Sequence, residues 1–351
     1  MIDIDESFKN RGISIDHIKQ MRSIIKSAQQ AGKQKECLLC GCSCSSFCKS
    51  HIVPEFILKN IAMNGEVYTS SILMNKNLEI EHEGVGKVDT FYIICNACDK
   101  KYFAEYEDER SLLKPLNNLI MAEIAMKNLM MQISKRNQEI PLYDIMNKTF
   151  NNRIKNQDIL KGNQELDLRD YTHDLRISKK IIDNKLKSGF IEIFHCFLDY
   201  KIPIAIQSGV AIHKFNGILY NNVFDDSPNI SIKDLHLFAF PLSDNRSVVG
   251  VFYHKNDRIY DKFHKFLNKQ DFNTKLIVIN YLIFKYCENF FISKRVPKDV
   301  LENKKLIQIS REVYEQPNLG YLDIEDITQY DYKEVDMNEI PNLLSKEYSL
   351  N

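Results

Sequence analysis

The sequence predicts an α+β protein in which a metal-binding module near the N-terminus precedes a helical connector and a second α+β domain. Two cysteine pairs with Cys-x-x-Cys spacing lie in the first third of the chain, at 37–40 and 95–98. From residue 99 onward apolar residues recur at helical spacing, and from residue 190 alternating runs are separated by turn residues. These observations divide the chain into an N-terminal helix (1–36), the metal module (37–112), the helical connector (113–188) and the C-terminal α+β domain (189–351).

The first part of the chain predicts one long helix and several short elements. Apolar residues at i, i+3 and i+4 spacing predict a helix over residues 15–31, which Gly32 ends. A strand is expected at His51, and Pro54 then begins a helical turn. Residues 62–88 are interpreted as an insertion with a short strand near 67–71.

The connector is predicted to be helical and the last part to alternate strands with helices. Helices are expected at 99–113, 116–136 and 166–187; Pro115 separates the first two, and a polar connection with partial helix fills 137–165. The later elements are predicted from strand-like runs separated by turn signals, after which the pattern returns to helix. They are strands at 190–198, 202–212, 217–223, 235–241 and 247–254, and helices at 257–268 and 272–292.

Charge and targeting signals limit the class of protein but do not identify its function. The 47 basic and 47 acidic side chains cancel, although residues 11–35 carry six basic residues against Asp16 alone, beside the first cysteine pair. That stretch is either a phosphate-contacting face or a solvated helix face. Acidic residues precede any apolar run, so no signal peptide is expected, and no segment is long enough to span a membrane. With clustered cysteines, this pattern indicates a reducing cytoplasm.

The two cysteine pairs predict a structural zinc site. Two tight turns that each present two sulfurs can surround one zinc ion tetrahedrally, so the predicted ligands are Cys37, Cys40, Cys95 and Cys98. Free buried thiols are the alternative. The remaining nearby cysteines are interpreted as loop thiols, although any of them could replace a paired cysteine: Cys42, Cys44 and Cys48.

His51 is the histidine whose position favours chemistry. An isolated histidine on a strand is ordinarily a polar structural residue, but His51 lies between the two cysteine pairs, directly before Ile52-Val53-Pro54. An imidazole with a pKa near neutrality suits proton removal at cellular pH. The other histidines are interpreted as satisfied polar residues, with His82 a weaker metal candidate: His195, His213, His236 and His254.

The segments 37–40, 50–54 and 95–99 together resemble the HNH endonucleases, in particular their zinc-containing members. The resemblance covers about residues 37–110. It implies a treble-clef-like ββα-metal module, in which two strands and a helix surround a catalytic cation and the structural zinc lies outside. It further implies DNA as the partner, His51 as general base, and Asp99 as ligand of a catalytic Mg²⁺ or Mn²⁺. Defence against foreign DNA is a role that such a nuclease could fill.

The chain departs from the HNH pattern at two positions. Ser50 stands where many members carry an acidic residue or histidine that helps to bind the cation, and the middle asparagine element is absent from residues 89–92. A branch with a Ser-His-Ile-x-Pro-Glu-Phe element and a later Tyr-Glu pair is similar to residues 50–56 and 106–107. That likeness implies Glu107, or Glu105, as a further catalytic or cation-binding residue.

Two alternatives to a nuclease stay open on sequence alone. The chain could be a non-catalytic zinc module that binds nucleic acid or protein, with His51 serving only in packing. Asp99 could likewise serve only the start of a helix, by interacting with its macrodipole. His51 could also be a zinc ligand beside three cysteines, which would leave no base. In the nuclease interpretation, the domain at 189–351 supplies substrate selection, self-association or a regulatory contact.

Overall fold

The structure is a computed structural model that describes residues 15–73, 82–88, 90–150, 157–222, 227, 231–312 and 335–350. The described residues of the N-terminal half form six helices and four short strands. The helices are α1 (Ile15–Ala31), α2 (Glu55–Ile61), α3 (Asn96–Tyr102), α4 (Glu109–Leu112), α5 (Asn118–Thr149) and α6 (Gln157–Asp183). The strands are β1 (Ser50–His51), β2 (Glu66–Thr69), β3 (His82–Gly84) and β4 (Thr90–Phe91).

The C-terminal half carries the longer strands. These are β5 (Phe190–Leu198), β6 (Ile204–Val210), β7 (Lys214–Phe215), β8 (Ile218–Leu219), β9 (Leu235–Pro241), β10 (Ser247–His254) and β11 (Phe291–Ile292). Its helices are α7 (Asp261–Asn268), α8 (Phe272–Tyr286), α9 (Lys298–Leu301) and α10 (Lys304–Glu312). Short 3₁₀ turns lie at Ser70–Leu73, Arg258–Tyr260, Met337–Glu339 and Lys346–Tyr348.

The predicted secondary structure is confirmed where apolar periodicity is strong. Helix α1 and strands β5, β9 and β10 have the predicted bounds, and Pro115 does separate α5 from the preceding helical segments. The strand predicted at 217–223 shrinks to the two residues of β8, which pair with β7. Residues 74–81, 89 and 323–334, on which parts of the insertion and the acidic stretch fall, lie outside the described residues, as does the His82 side chain.

The polar connection with partial helix predicted at 137–165 is more helical than expected, because α5 continues through Pro141 to Thr149 and α6 begins at Gln157. These two helices pack along each other and are joined by ion pairs. Arg136 bonds Asp167 at 3.0 Å, and Lys161 bonds Asp144 at 2.8 Å. Tertiary packing therefore maintains helix where composition alone favours a loop.

The predicted helix 272–292 is too long at its C-terminal end. Helix α8 ends at Tyr286, and strand β11 pairs with β2 on one side and β6 on the other. Ser70 helps to fix this change of direction, because its hydroxyl donates a 2.6 Å hydrogen bond to the carbonyl of Glu288. The strand partners lie far away in sequence, which is why local periodicity does not indicate them.

A seven-stranded antiparallel sheet combines strands from the N-terminal and C-terminal halves of the chain. Its order is β3-β2-β11-β6-β9-β10-β5. Strands β2 and β3 come from the segment interpreted as an insertion, and β11 comes from the C-terminal third. The metal module and the C-terminal α+β domain therefore share one sheet, while the boundaries at 112 and 188 stay predictions.

Helix α5 connects the sheet to the cysteine-rich segment. From Ile120 to Met131 every residue is buried, including the polar side chains Glu123, Lys127 and Asn128. The Gln207 amide of β6 donates to the carbonyl of Ile124 at 3.4 Å, and on another side α5 borders the hydrophobic cluster around the cysteine-rich segment. A helix that is buried all around occupies the centre of a fold.

No helix in the described part of the chain combines the length and the apolar content that crossing a membrane requires.

Candidate metal centre and adjoining cleft

The first cysteine pair lies in a tight turn that glycine completes. Gly41 has φ +72°, a left-handed conformation that glycine adopts without steric cost. Its N–H donates to the carbonyl of Cys37 at 2.8 Å, and the N–H of Cys37 donates to the carbonyl of Cys42 at 2.9 Å. These bonds fold the segment back so that both sulfurs of the pair lie on one side.

The predicted ligands Cys37, Cys40, Cys95 and Cys98 form one cluster, in which all four sulfur atoms lie within 4.8 Å of one another. Cys95 caps α3, since its sulfur accepts a hydrogen bond from the N–H of Cys98 at 3.5 Å. Four thiolates at this separation could hold a metal such as zinc. His51 is not part of this group, and the described residues contain no second group of three or more clustered ligand atoms.

The pKa values of two thiols in the cluster, those of Cys37 and Cys98, shift in opposite directions. Burial raises the pKa of Cys37, but backbone hydrogen bonds from Cys95, Cys40 and Leu39 outweigh burial and bring it to about 7. Burial and hydrogen bonds with the other three thiols raise the pKa of Cys98. A cation among the sulfurs stabilises all four as thiolates, so the donor set fits zinc.

The other three cysteines of this region lie outside the cluster, as the sequence interpretation expects. The thiols of Cys42 and Cys44 donate to nearby backbone carbonyls, and Cys42 is exposed. Cys48 is adjacent to Asp99 instead. Burial, together with the charge and hydrogen bond of Asp99, raises the pKa of Cys48 to about 11, so it stays a thiol.

The strand that carries His51 is held by pairing with β4 and by the buried residues that follow it. In the β1–β4 pair Ser50 is opposite Phe91 and His51 is opposite Thr90, and α3 follows β4 after the second cysteine pair. Ile52 and Val53 are buried next to it, and Pro54 ends the extended segment by capping α2.

A cleft of about 250 Å³ lies beside this strand. Its polar lining residues are Lys49, Ser50, His51, Glu55, Asp99, Glu107 and Lys127. All three residues that the sequence predicts as catalytic, His51, Asp99 and Glu107, thus line one cleft, which we call the His51 cleft. Glu105 is exposed, accepts a 3.2 Å hydrogen bond from Ser111 and is not part of this lining.

The imidazole of His51 is half-buried, and its Nε2 has no hydrogen-bond partner. Burial lowers the pKa of His51, and the positive charges of Lys49 and Lys127 lower it further. The charge of Glu55 and a hydrogen bond to the backbone of Val85 act in the opposite direction without reversing the shift. The ring is therefore neutral at pH 7 and has one unused nitrogen.

The carboxylates of Asp99 and Glu107 are joined by a buried lysine. The ammonium of Lys127 lies 3.1 Å from Asp99 Oδ1 and 3.0 Å from Glu107 Oε1, and it donates to Ser50 Oγ at 2.9 Å. Ser50 also donates to Asp99 Oδ1. Burial raises the pKa of Glu107, whereas Lys127 lowers it and Asp99 raises it again.

Lys127 is the residue of this site that sequence reasoning missed. It lies on α5, within the helix predicted at 116–136, where no site residue is predicted. The signal that could have found it is a single charged residue within the apolar run 124–131, where an unpaired charge would be costly. Such a residue needs acidic partners, but the sequence does not say which ones.

A second, smaller cavity of about 20 Å³ gathers two of the histidines interpreted as polar structural residues. His236 and His254 line it together with Asp174, Asp234 and Asp257. His236 contacts the Asn128 amide at 3.2 Å, and burial lowers its pKa to about 3. Elsewhere His213 bonds the carbonyl of Asn221 at 2.7 Å.

Comparison with known proteins adds no relative: no protein-family model, curated protein or solved structure matches this chain.

Proposed function

We propose that this protein is a metal-dependent endonuclease of the HNH type, which hydrolyses DNA phosphodiester bonds in the His51 cleft. One observation carries the proposal. His51, whose imidazole is half-buried and whose buried Nε2 has no hydrogen-bond partner, lines the same cleft as two carboxylates, while the four clustered thiols lie outside that cleft. Proton removal and cation binding are the two capacities that phosphodiester hydrolysis requires of a protein.

His51 acts as general base in this proposal. Its neutral imidazole accepts a proton at Nε2 from the water that attacks phosphorus, and the hydrogen bond to the backbone of Val85 keeps the ring oriented. The burial that lowers the pKa of His51 ensures that the ring is unprotonated before the reaction. The strand pairing of His51 with Thr90 holds the base at a fixed place relative to α3.

Asp99 and Glu107 are the residues that would hold the catalytic cation. Both are hard oxygen donors, and two carboxylates completed by water and phosphate oxygens form a usual environment for Mg²⁺ or Mn²⁺. Such a cation, when bound, stabilises negative charge on the phosphate and on the leaving oxygen. A zinc ion held by the four cysteines would have a separate, structural role, because Cys37 and Cys40 lie in the turn before β1 and Cys95 and Cys98 lie at the start of α3.

Exposed basic residues near the first cysteine pair support DNA as the substrate. They lie on α1 and on the segment directly after it: Lys19, Arg22, Lys26, Lys33 and Lys35. The apolar residues Ile24 and Ala28 occupy the buried face of the same helix. Basic side chains on one accessible segment are suited to contacts with successive phosphates.

The test is cleavage of supercoiled plasmid with Mg²⁺, Mn²⁺ or EDTA. We expect the wild type to nick DNA only with a divalent cation. His51→Ala should lose about 10²- to 10⁴-fold in rate while zinc content and folding stay intact. His195→Ala is the matched control, because burial lowers the pKa of that histidine too but it is not part of the cleft lining.

The competing hypothesis is a non-catalytic zinc module. It predicts plasmid binding without divalent-dependent nicking, in the wild type as in His51→Ala. If His51→Ala loses zinc together with activity, then His51 is a zinc ligand and not the base.

A further inference from the structure

Lys127 is a buried ammonium group whose hydrogen-bonding capacity is fully used. Its side chain is 1% exposed, and it contacts Ser50 Oγ, Asp99 Oδ1 and Glu107 Oε1 at 2.9 to 3.1 Å. An ammonium group has three N–H donors, so three acceptors satisfy it completely. Lys127 therefore has no donor left for a phosphate oxygen, which argues against direct contact with the substrate.

Aromatic rings keep the ammonium group in place. Its nitrogen lies 4.1 Å from the centre of the Phe103 ring and 5.9 Å from that of Phe91. A cation over an aromatic face is attracted by the ring quadrupole, and the effect grows when water is excluded. Phe103 precedes Glu107 by one helical turn, and Phe91 pairs with Ser50 in the small sheet. The rings thus belong to the same segments as the acceptors.

Stability alone does not explain a lysine at this position. Bringing an ion pair into the core costs desolvation, and apolar residues of similar volume are often as stable or more so. The neighbours of Lys127 on α5 are indeed apolar, among them Met126 and Met130. The presence of a charged residue at this position is therefore explained better by its effect on the geometry of its two carboxylate partners than by stability.

We propose that Lys127 is a positioning residue for the catalytic cation, an inference that rests on the proposed nuclease function. Its ammonium group holds one oxygen of Asp99 and one oxygen of Glu107, so that the other oxygen of each carboxylate is presented to a single divalent cation. It also sets the charge of the site, because two carboxylates and one ammonium leave a net charge of −1. That charge suits one cation and not two.

The decisive variant is Lys127→Met, with Lys135→Met as matched control. Lys135 lies on the same helix and pairs with Glu288 at 2.6 Å, outside the cleft lining. For Lys127→Met we expect the nicking rate at saturating Mn²⁺ to fall about 10- to 100-fold. The Mn²⁺ concentration at half-maximal rate should fall as well, because the site charge changes from −1 to −2. Lys135→Met should match the wild type in both quantities.

A lower rate together with a lower half-saturating Mn²⁺ concentration distinguishes the loss of a positioning residue from a loss of folded protein. A smaller folded fraction lowers the rate but leaves the half-saturating Mn²⁺ concentration unchanged, and that result would overturn the inference. So would Lys127→Met behaving as the wild type. If Lys127→Met does not fold, Lys127→Met/Glu107→Gln replaces it, because the double variant restores the net charge of −1. We expect the double variant to fold, to bind zinc and to stay slow; recovery of the wild-type rate would contradict positioning.

Direct binding of Mn²⁺ to the protein in the absence of DNA, measured by electron paramagnetic resonance, tests this inference separately from the proposed function. If the wild type does not nick DNA, the nuclease proposal fails. Tighter Mn²⁺ binding by Lys127→Met than by the wild type then still supports a cation site positioned by Lys127, and absence of Mn²⁺ binding in both overturns it. If the wild type nicks DNA and Lys127→Met nicks it equally well, the positioning inference fails and the nuclease proposal stands.

Discussion

The hydroxyl of Tyr106 donates a 3.1 Å hydrogen bond to the backbone carbonyl of Ile52, the residue that follows His51. Tyr106 is fully buried, and its own N–H donates to Glu123 Oε2 on α5 at 2.8 Å. The residue before Glu107 therefore connects the His51 strand to the central helix. His51 and Glu107 are fixed relative to each other through this one side chain.

Tyr106→Phe should lower the free energy of unfolding by about 1–3 kcal/mol, because it leaves the carbonyl of Ile52 without its partner in a buried place. Urea denaturation measures this loss. Tyr92→Phe is the control, since Tyr92 is 50% exposed, and it should leave the denaturation midpoint unchanged. Equal midpoints for the two variants would show that the Tyr106 hydroxyl does not support the strand.

Loss of the four-thiolate cluster should destabilise the whole cysteine-rich segment. Cys95→Ser removes a sulfur that lies 3.9 Å from Cys40 and caps α3, so we expect loss of the bound zinc and a lower melting temperature. Metal analysis and thermal denaturation measure these effects. Cys42→Ser, at an exposed thiol outside the cluster, should retain the zinc and the melting temperature of the wild type. Zinc loss in Cys42→Ser but not in Cys95→Ser would reassign the ligands.

The sequence was sufficient to predict the four-cysteine cluster because its signal is local. Each Cys-x-x-Cys turn presents its own two sulfurs, and only the meeting of the two turns is a long-range event. The boundaries of β5, β9 and β10 were predictable for a similar reason, since each strand is a short apolar run that ends at turn residues. All of β9 and all of β10 except its last residue are buried. The roles assigned to His51, Asp99 and Glu107 stay predictions, although these residues do line one cleft.

Long-range pairing is what the sequence could not reveal. Lys127 receives its partners from three separate segments, which carry Ser50, Asp99 and Glu107. The placement of β11 between β2 and β6 likewise depends on residues more than 80 positions away. No local periodicity encodes such neighbours, so Lys127 is not predicted as a site residue and β11 is predicted as the end of a helix.

The rate of DNA cleavage should depend on pH through His51. A base must be unprotonated, and burial lowers the pKa of His51 below its ordinary value of 6.5. The rate should therefore rise with pH and reach half of its maximum below pH 6.5. Initial nicking rates in Mn²⁺ from pH 5 to pH 8 measure this profile. His195→Ala should keep it, and a midpoint above pH 6.5 would contradict His51 as the titrating base.

Asp234 should make the protein less stable as the pH rises. Burial, with the negative charge of Asp174 adding to it, raises the pKa of Asp234 from 3.8 to about 7, although Gln132 lowers it in part. Between about pH 4 and pH 7 the folded state retains a proton that the unfolded state has lost, so the stabilising effect of protonation disappears across that window. Asp257, whose pKa burial also raises to about 7, acts in the same direction.

Asp234→Asn removes this titration, since an amide is neutral at every pH. Its melting temperature should exceed that of the wild type at pH 8, and the difference should shrink as the pH falls from 7 to 4. Thermal denaturation in a series of buffers measures both trends. Asp244 provides a control of opposite sign, because hydrogen bonds from Arg246 lower its pKa and Asp244→Asn should not raise the melting temperature at pH 8. If the gain from Asp234→Asn is the same at pH 4 and pH 8, it arises from packing and not from the buried carboxyl proton.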